Sequence, residues 1–184
     1  MRGPESARTP WVLGAVAFVL AAAGALPYAG GYNDGGRLAT AECLAERGTL
    51  RIDDSVFVRP PPELVAAGRP PYSRGVDSVN AHGTLDKVFV GGHFYSDKPP
   101  IPAVLLAAAY RALMALGLPP PSTRPDVFCW VAAVLTGAVP FAVTVGLMWQ
   151  LGRRAGLGPR WRVVWLGGFA LATMLPAYTR QVNA

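Results

Sequence analysis

Of 184 residues, 52% are hydrophobic and only 15% charged, against about 25% charged in an average soluble domain. Most charges fall between Gly31 and Lys98, and the remaining runs carry almost none, as in an integral membrane protein. The net charge of +6 does not indicate nucleic acid, because the basic residues outside that segment flank apolar runs, Arg111 excepted, with no aromatic-basic surface among them.

Residues 1–9 carry Arg2 and Arg8 and are expected on the cytoplasmic side. Pro10–Tyr28 is free of charge, with Trp11 and Tyr28 at its ends where amphipathic rings prefer the interface. As a helix it would reach about 28 Å, close to the roughly 30 Å of hydrocarbon. A cleaved signal peptide is the rival reading, since AAAGA offers small residues. The run is longer than an apolar signal core of about 7–15 residues, so a retained crossing is expected.

Ala29–Asp126 is expected outside. Within it, Arg37–Gly48 reads as a short amphipathic helix along the bilayer surface, started by Asn33 or Asp34 and stopped by Gly48. Leu38, Ala41, Leu44 and Ala45 share one face, with Glu42, Glu46 and Arg47 toward another. Thr49–Val58 alternates loosely and is read as extended. The Pro- and Gly-rich RPPPELVAAGRPPYSRG that follows reads as a loop. Val88-Phe89-Val90 and His93-Phe94-Tyr95 flank Gly91-Gly92, the pattern of a tight hairpin. Asp97 and Lys98 stand at its exit, and Pro99-Pro100 stiffens the backbone behind them.

Ile101–Leu118 is long enough to span but carries Arg111 near its middle, at a cost of roughly 2.5–3.5 kcal/mol. Val127–Leu151 is uncharged, with Pro140 placed to kink it. Residues 152–162, GRRAGLGPRWR, hold four arginines and no acid and are expected inside. A last apolar run from Val163 to Tyr178 opens the final crossing, taken over residues 163–180, and leaves 181–184 outside. Both arginine-rich stretches lie inside only if an even number of crossings separates them, so Ile101–Leu118 is read as an interfacial helix with Arg111 snorkelling to headgroups. The expected fold is therefore an all-α integral membrane protein of about three transmembrane helices, plus an outer segment of juxtamembrane helices and one hairpin.

Two charged points then stand near one outer surface: Asp34 just after the first crossing, and Asp97-Lys98 just before the interfacial helix. A carboxylate can take a proton from an incoming hydroxyl, while an ammonium or guanidinium (Lys98, Arg37) can hold a phosphate. The plainer reading is a helix cap at Asp34 and a surface ion pair at Asp97-Lys98 worth under about 1 kcal/mol. His82 and His93 have no metal-ligand spacing. Cys43 and Cys129 are too few for a disulfide framework or a metal site.

YNDGGRLATAECLAERGTLRID followed by HFYSDKPPIPAVLLAAAYRALMALG resembles the start of the membrane glycosyltransferases of the GT-C fold, nearest the protein O-mannosyltransferase and aminoarabinose transferase groups. The resemblance runs over about residues 10–184. It implies transfer of a sugar from a polyprenyl-phosphate carrier to an acceptor outside the cell membrane, with inversion. It implies Asp34 as base or acceptor-orienting group, and Lys98 with Arg37 at the carrier phosphate. Asp97 is a supporting acid or possible ligand to a divalent metal. A second outer acid would fall near Asn183, and further helices are needed to close the donor cavity. The chain is therefore expected to be the N-terminal part of such an enzyme, completed by a C-terminal part or another subunit. The alternative is a non-catalytic membrane protein or split-enzyme subunit whose outer segment binds lipid or a protein partner.

Overall fold

The computed structural model describes residues 8–73, 77–171 and 175–182. Arg2 and Asn183 lie outside them. The chain divides into two compact units, one of residues 1–25 with 133–180 and one of residues 26–132 with 181–184.

In the first unit α1 (Thr9–Gly24) packs along α7 (Val139–Arg154), with α8 (Pro159–Leu171) beside them. Small side chains allow the close approach. Ala17, Ala21, Ala22 and Ala25 meet Ala138, Phe141 and Val145, and a Cβ on Gly14 would stand 3.2 Å from the Ala142 carbonyl oxygen. Their outer faces stay apolar, with Trp11, Leu20, Val143, Leu147 and Trp161 exposed. Arg162 leaves the basic linker to stack on Trp149, its guanidinium 4.8 Å from the ring centroid.

The three-crossing membrane fold is overturned here. Among the described residues one helix, Pro125–Arg154, is long and apolar enough to cross a membrane, by length and composition. It joins α6 (Pro125–Ala133), a π-helical turn at Val134–Ala138 and α7 into 30 residues. The π turn lies just before Pro140, which has no N–H to give the helix, so the irregularity expected at that proline begins one turn early. The first expected crossing fails because α1 stops at Gly24. Ala25 is extended at ψ 135°, and Leu26 precedes Pro27, which disfavours helix. Sixteen residues rise about 24 Å, short of the roughly 30 Å required. In the last expected crossing, 163–180, α8 ends at Leu171, α9 covers only Leu175–Tyr178, and 172–174 lie outside the described residues.

The second unit is built around α2 (Tyr32–Arg47), which packs against α5 (Pro100–Ala115). Here too the surface-lying amphipathic helix is corrected. The helix begins at Tyr32, before Arg37, and Asp34, Leu38, Ala39, Ala41, Glu42 and Cys43 are all buried. Glu42, placed by periodicity on the polar face, is fully enclosed. Gly48 does end the helix, at φ 67° in the left-handed region that favours glycine. Around α2 stand Phe57, Tyr72, Tyr110 and Phe128 in edge-on and tilted contacts, with centroids 4.7–6.1 Å apart. One short helix, α3 (Pro62–Ala66), interrupts the loop expected after Val58, and another, α4 (Asp77–His82), follows that loop. The hairpin forms as expected: β1 (Lys87–Val90) pairs antiparallel with β2 (His93–Ser96) about Gly91-Gly92, in the register Lys87 to Ser96 and Val90 to His93. Both turn glycines have positive φ, 57° and 86°, as a two-residue turn of this hand demands. Ile101–Leu118 is shortened to α5, which buries Ala103, Leu106, Ala107 and Tyr110 and leaves Arg111 exposed.

Candidate functional site

The start of α2 is wedged between two other segments of its unit. Thr84 donates from Oγ1 to the Tyr32 carbonyl at 2.7 Å. A Cβ on Gly35 would collide with the Tyr72 ring and hydroxyl, and one on Gly36 would stand 2.9 Å from the Asp86 carbonyl oxygen and 3.1 Å from Ser96 Oγ. The GG of YNDGGR is thus explained by close approach. Gly36→Val is expected to destabilise this unit by about 1–3 kcal/mol, because a backbone carbonyl rather than a flexible side chain must yield. Thermal melting of the variant checks this, and an unchanged midpoint would show that the contact is loose.

Asp34, in the first turn, is 3% exposed. Its Oδ2 accepts from the Gly30 N–H at 2.9 Å. Burial raises its pKa above the ordinary carboxylate range, while the Gly30 hydrogen bond and the charge of Arg37 pull against that shift. Arg37, one turn on, holds Nε and Nη1 buried with no hydrogen-bond partner among the described residues. Buried guanidinium nitrogens without acceptors are costly and uncommon.

Lys98 is differently placed. Its ammonium lies 3.0 Å from Asp86 Oδ2 and 3.2 Å from Asp97 Oδ2, so two carboxylates surround one cation. Asp86 first, and then Asp97, raise its pKa. Lys98 N also donates to Ser96 Oγ at 3.2 Å. Because Gly36 abuts both Asp86 and Ser96, the stretch carrying Asp34 and Arg37 meets the stretch carrying Lys98 within one unit. The sequence motifs are brought together, but Lys98 is paired with two carboxylates while Arg37 Nε and Nη1 have no hydrogen-bond partner among the described residues.

Residues that periodicity and motif reading missed share this unit. Asp86 is the first. Glu42 is the second: it accepts from Ser55 Oγ at 2.5 Å, from the Val56 N–H at 3.1 Å and from Arg47 Nη2 at 3.0 Å. Burial pushes its carboxyl up to about 7 against the pull of Ser55 and Arg47. His93, partly exposed, sets Nδ1 3.1 Å from Asp53 Oδ2. No group of three or more His, Cys, Asp or Glu able to hold a metal occurs among the described residues, and Asp97 is spent on Lys98. Compared with known proteins, the chain matches no family model, no curated protein and no solved structure.

Proposed function

We propose that the chain is the N-terminal part of a membrane glycosyltransferase that moves a sugar from a polyprenyl-phosphate carrier to an extracytoplasmic acceptor. The observation that carries this reading is that Arg37 Nε and Nη1, near the buried carboxyl of Asp34, are buried with no hydrogen-bond partner among the described residues. An anion with several acceptor oxygens satisfies a buried guanidinium, and phosphate matches its fork geometry. In the reaction, Asp34 takes the proton of the acceptor hydroxyl as that oxygen bonds to the anomeric carbon. The anomeric bond to phosphate oxygen breaks with inversion, and the polyprenyl phosphate leaves with its charge held at Arg37. The helix Pro125–Arg154 attaches the unit to the membrane, and a further segment or subunit completes the donor pocket.

Lys98 takes a supporting part, fixing the hairpin exit through Asp86 and Asp97. The test is binding of a short-chain prenyl phosphate by wild type, Arg37→Gln and Lys98→Ala, with thermal melting to establish that each variant is folded. Arg37→Gln should weaken binding about 10- to 100-fold, since a hydrogen bond to a charged group contributes about 1.5–3 kcal/mol. Lys98→Ala should weaken it less. Equal affinity in wild type and Arg37→Gln would refute the assignment.

A further inference from the structure

The two edges of the hairpin are unequal. In a hairpin closed by two residues, Val90 and His93 exchange backbone hydrogen bonds, as do Val88 and Tyr95, so Phe89 and Phe94 turn their backbone groups outward on opposite edges. On the β2 edge those groups are satisfied. The Phe94 carbonyl accepts from the Ile52 N–H at 2.9 Å, and the Phe94 N–H donates to Asp53 Oδ1 at 3.1 Å. On the β1 edge, the N–H and carbonyl of Phe89 meet no partner among the described residues. Of the usual devices that block an open edge, this strand has only its short length, four residues, and the lysine that opens it. β1 has no proline and no bulge. Its one charge, Lys87, stands at the start with its ammonium 5.1 Å from the Phe94 ring centroid. Val88, Phe89 and Val90 are exposed by 45%, 64% and 60%.

We propose that β1 pairs antiparallel with β1 of a second copy of this chain, about a two-fold axis at Phe89. The segment is complementary to itself. With Phe89 on the axis, Val88 opposes Val90 of the other copy and Lys87 opposes Gly91, so no like charges face each other across the pair. Phe89 stands against Phe89, which extends the Phe94–Phe89 pair, centroids 5.1 Å apart, into a row of four rings on one face. Both copies bring strands of equal length and the same unused backbone groups. Four residues a side bury far less than the roughly 1,200–2,000 Å² of a stable interface, so the association is weak and rises with concentration. It stands apart from the sugar-transfer reading.

The test is disulfide trapping in the full chain under mild oxidation, with Phe89→Cys and Lys87→Cys compared at several protein concentrations. Cys43 and Cys129 are buried and provide the wild-type control. Residues paired on the axis have Cα atoms about 5.5 Å apart, inside the roughly 4.4–6.8 Å span of a disulfide. Two residues at position 87 would lie more than about 13 Å apart along the strands. Phe89→Cys should give a covalent dimer whose yield rises with concentration, and Lys87→Cys should stay monomeric. Absence of the dimer at 89, equal trapping at both positions, or capture of a different protein at 89 would each overturn the proposal.

Discussion

Glu42→Ala is expected to cost the unit around α2 about 3–5 kcal/mol, since it leaves the Ser55 hydroxyl and the Val56 N–H buried without an acceptor and removes the buried one of Arg47's two carboxylate partners. Protease resistance and melting of that unit should both fall. Glu42→Gln, which keeps the shape and part of the accepting capacity, should lose much less. Similar losses in the two variants would mean that volume, and not the hydrogen-bond network, is what matters. The same carboxyl sets a pH dependence. Its pKa rises from 4.5 to about 7 on folding, so between those values the folded chain holds a proton that the unfolded chain has released. Its contribution is fully present below pH 4.5 and is lost as pH rises through 7. Wild type should therefore melt a few degrees higher at pH 5 than at pH 8, and Glu42→Gln should flatten that difference.

On the proposed sugar-transfer reading, Asp34→Asn should lower transfer by about 10²- to 10⁴-fold in the full-length or complemented protein, because an amide cannot take the hydroxyl proton. The variant keeps a side-chain oxygen able to accept from Gly30 N–H, so the start of α2 should persist. A pH profile separates chemistry from folding. In the proposed role the carboxylate is the working form, and burial raises the pKa of Asp34, so transfer should climb with pH across a range above that of ordinary carboxylates. Arg37 pulls that pKa down, and Arg37→Gln should move the climb to higher pH. Full transfer by Asp34→Asn would end the assignment of Asp34 as base.

Local signals carried well where they depended on short range. Gly91-Gly92 between two apolar triplets specified the hairpin, and Gly48 marked the end of α2. That hairpin's register already set Asp86 across from Asp97, so the second carboxylate at Lys98 was legible once pairing was followed one step beyond the strand. Periodicity misjudged Glu42 because a helix enclosed on most sides has no polar face, and only the tertiary placement of Ser55 and Val56 lets a carboxyl sit inside. The membrane fold was overestimated for a different reason. Counting uncharged residues from Pro10 to Tyr28 ignored Pro27, which makes the residue before it extended, so α1 is shorter than its apolar run. The pairing of His93 with Asp53 joins residues forty apart and left no trace in spacing.

Gly35 and Gly36 each give up about 1 kcal/mol of helical preference relative to alanine. The opening turn of α2 is therefore a poor helix by itself and gains its order only when Tyr72 and Asp86 close on either side of it. The acid and the guanidinium near that turn are held in place by the same packing that fixes the hairpin exit. Their placement depends on the packing of both flanks against the two glycines.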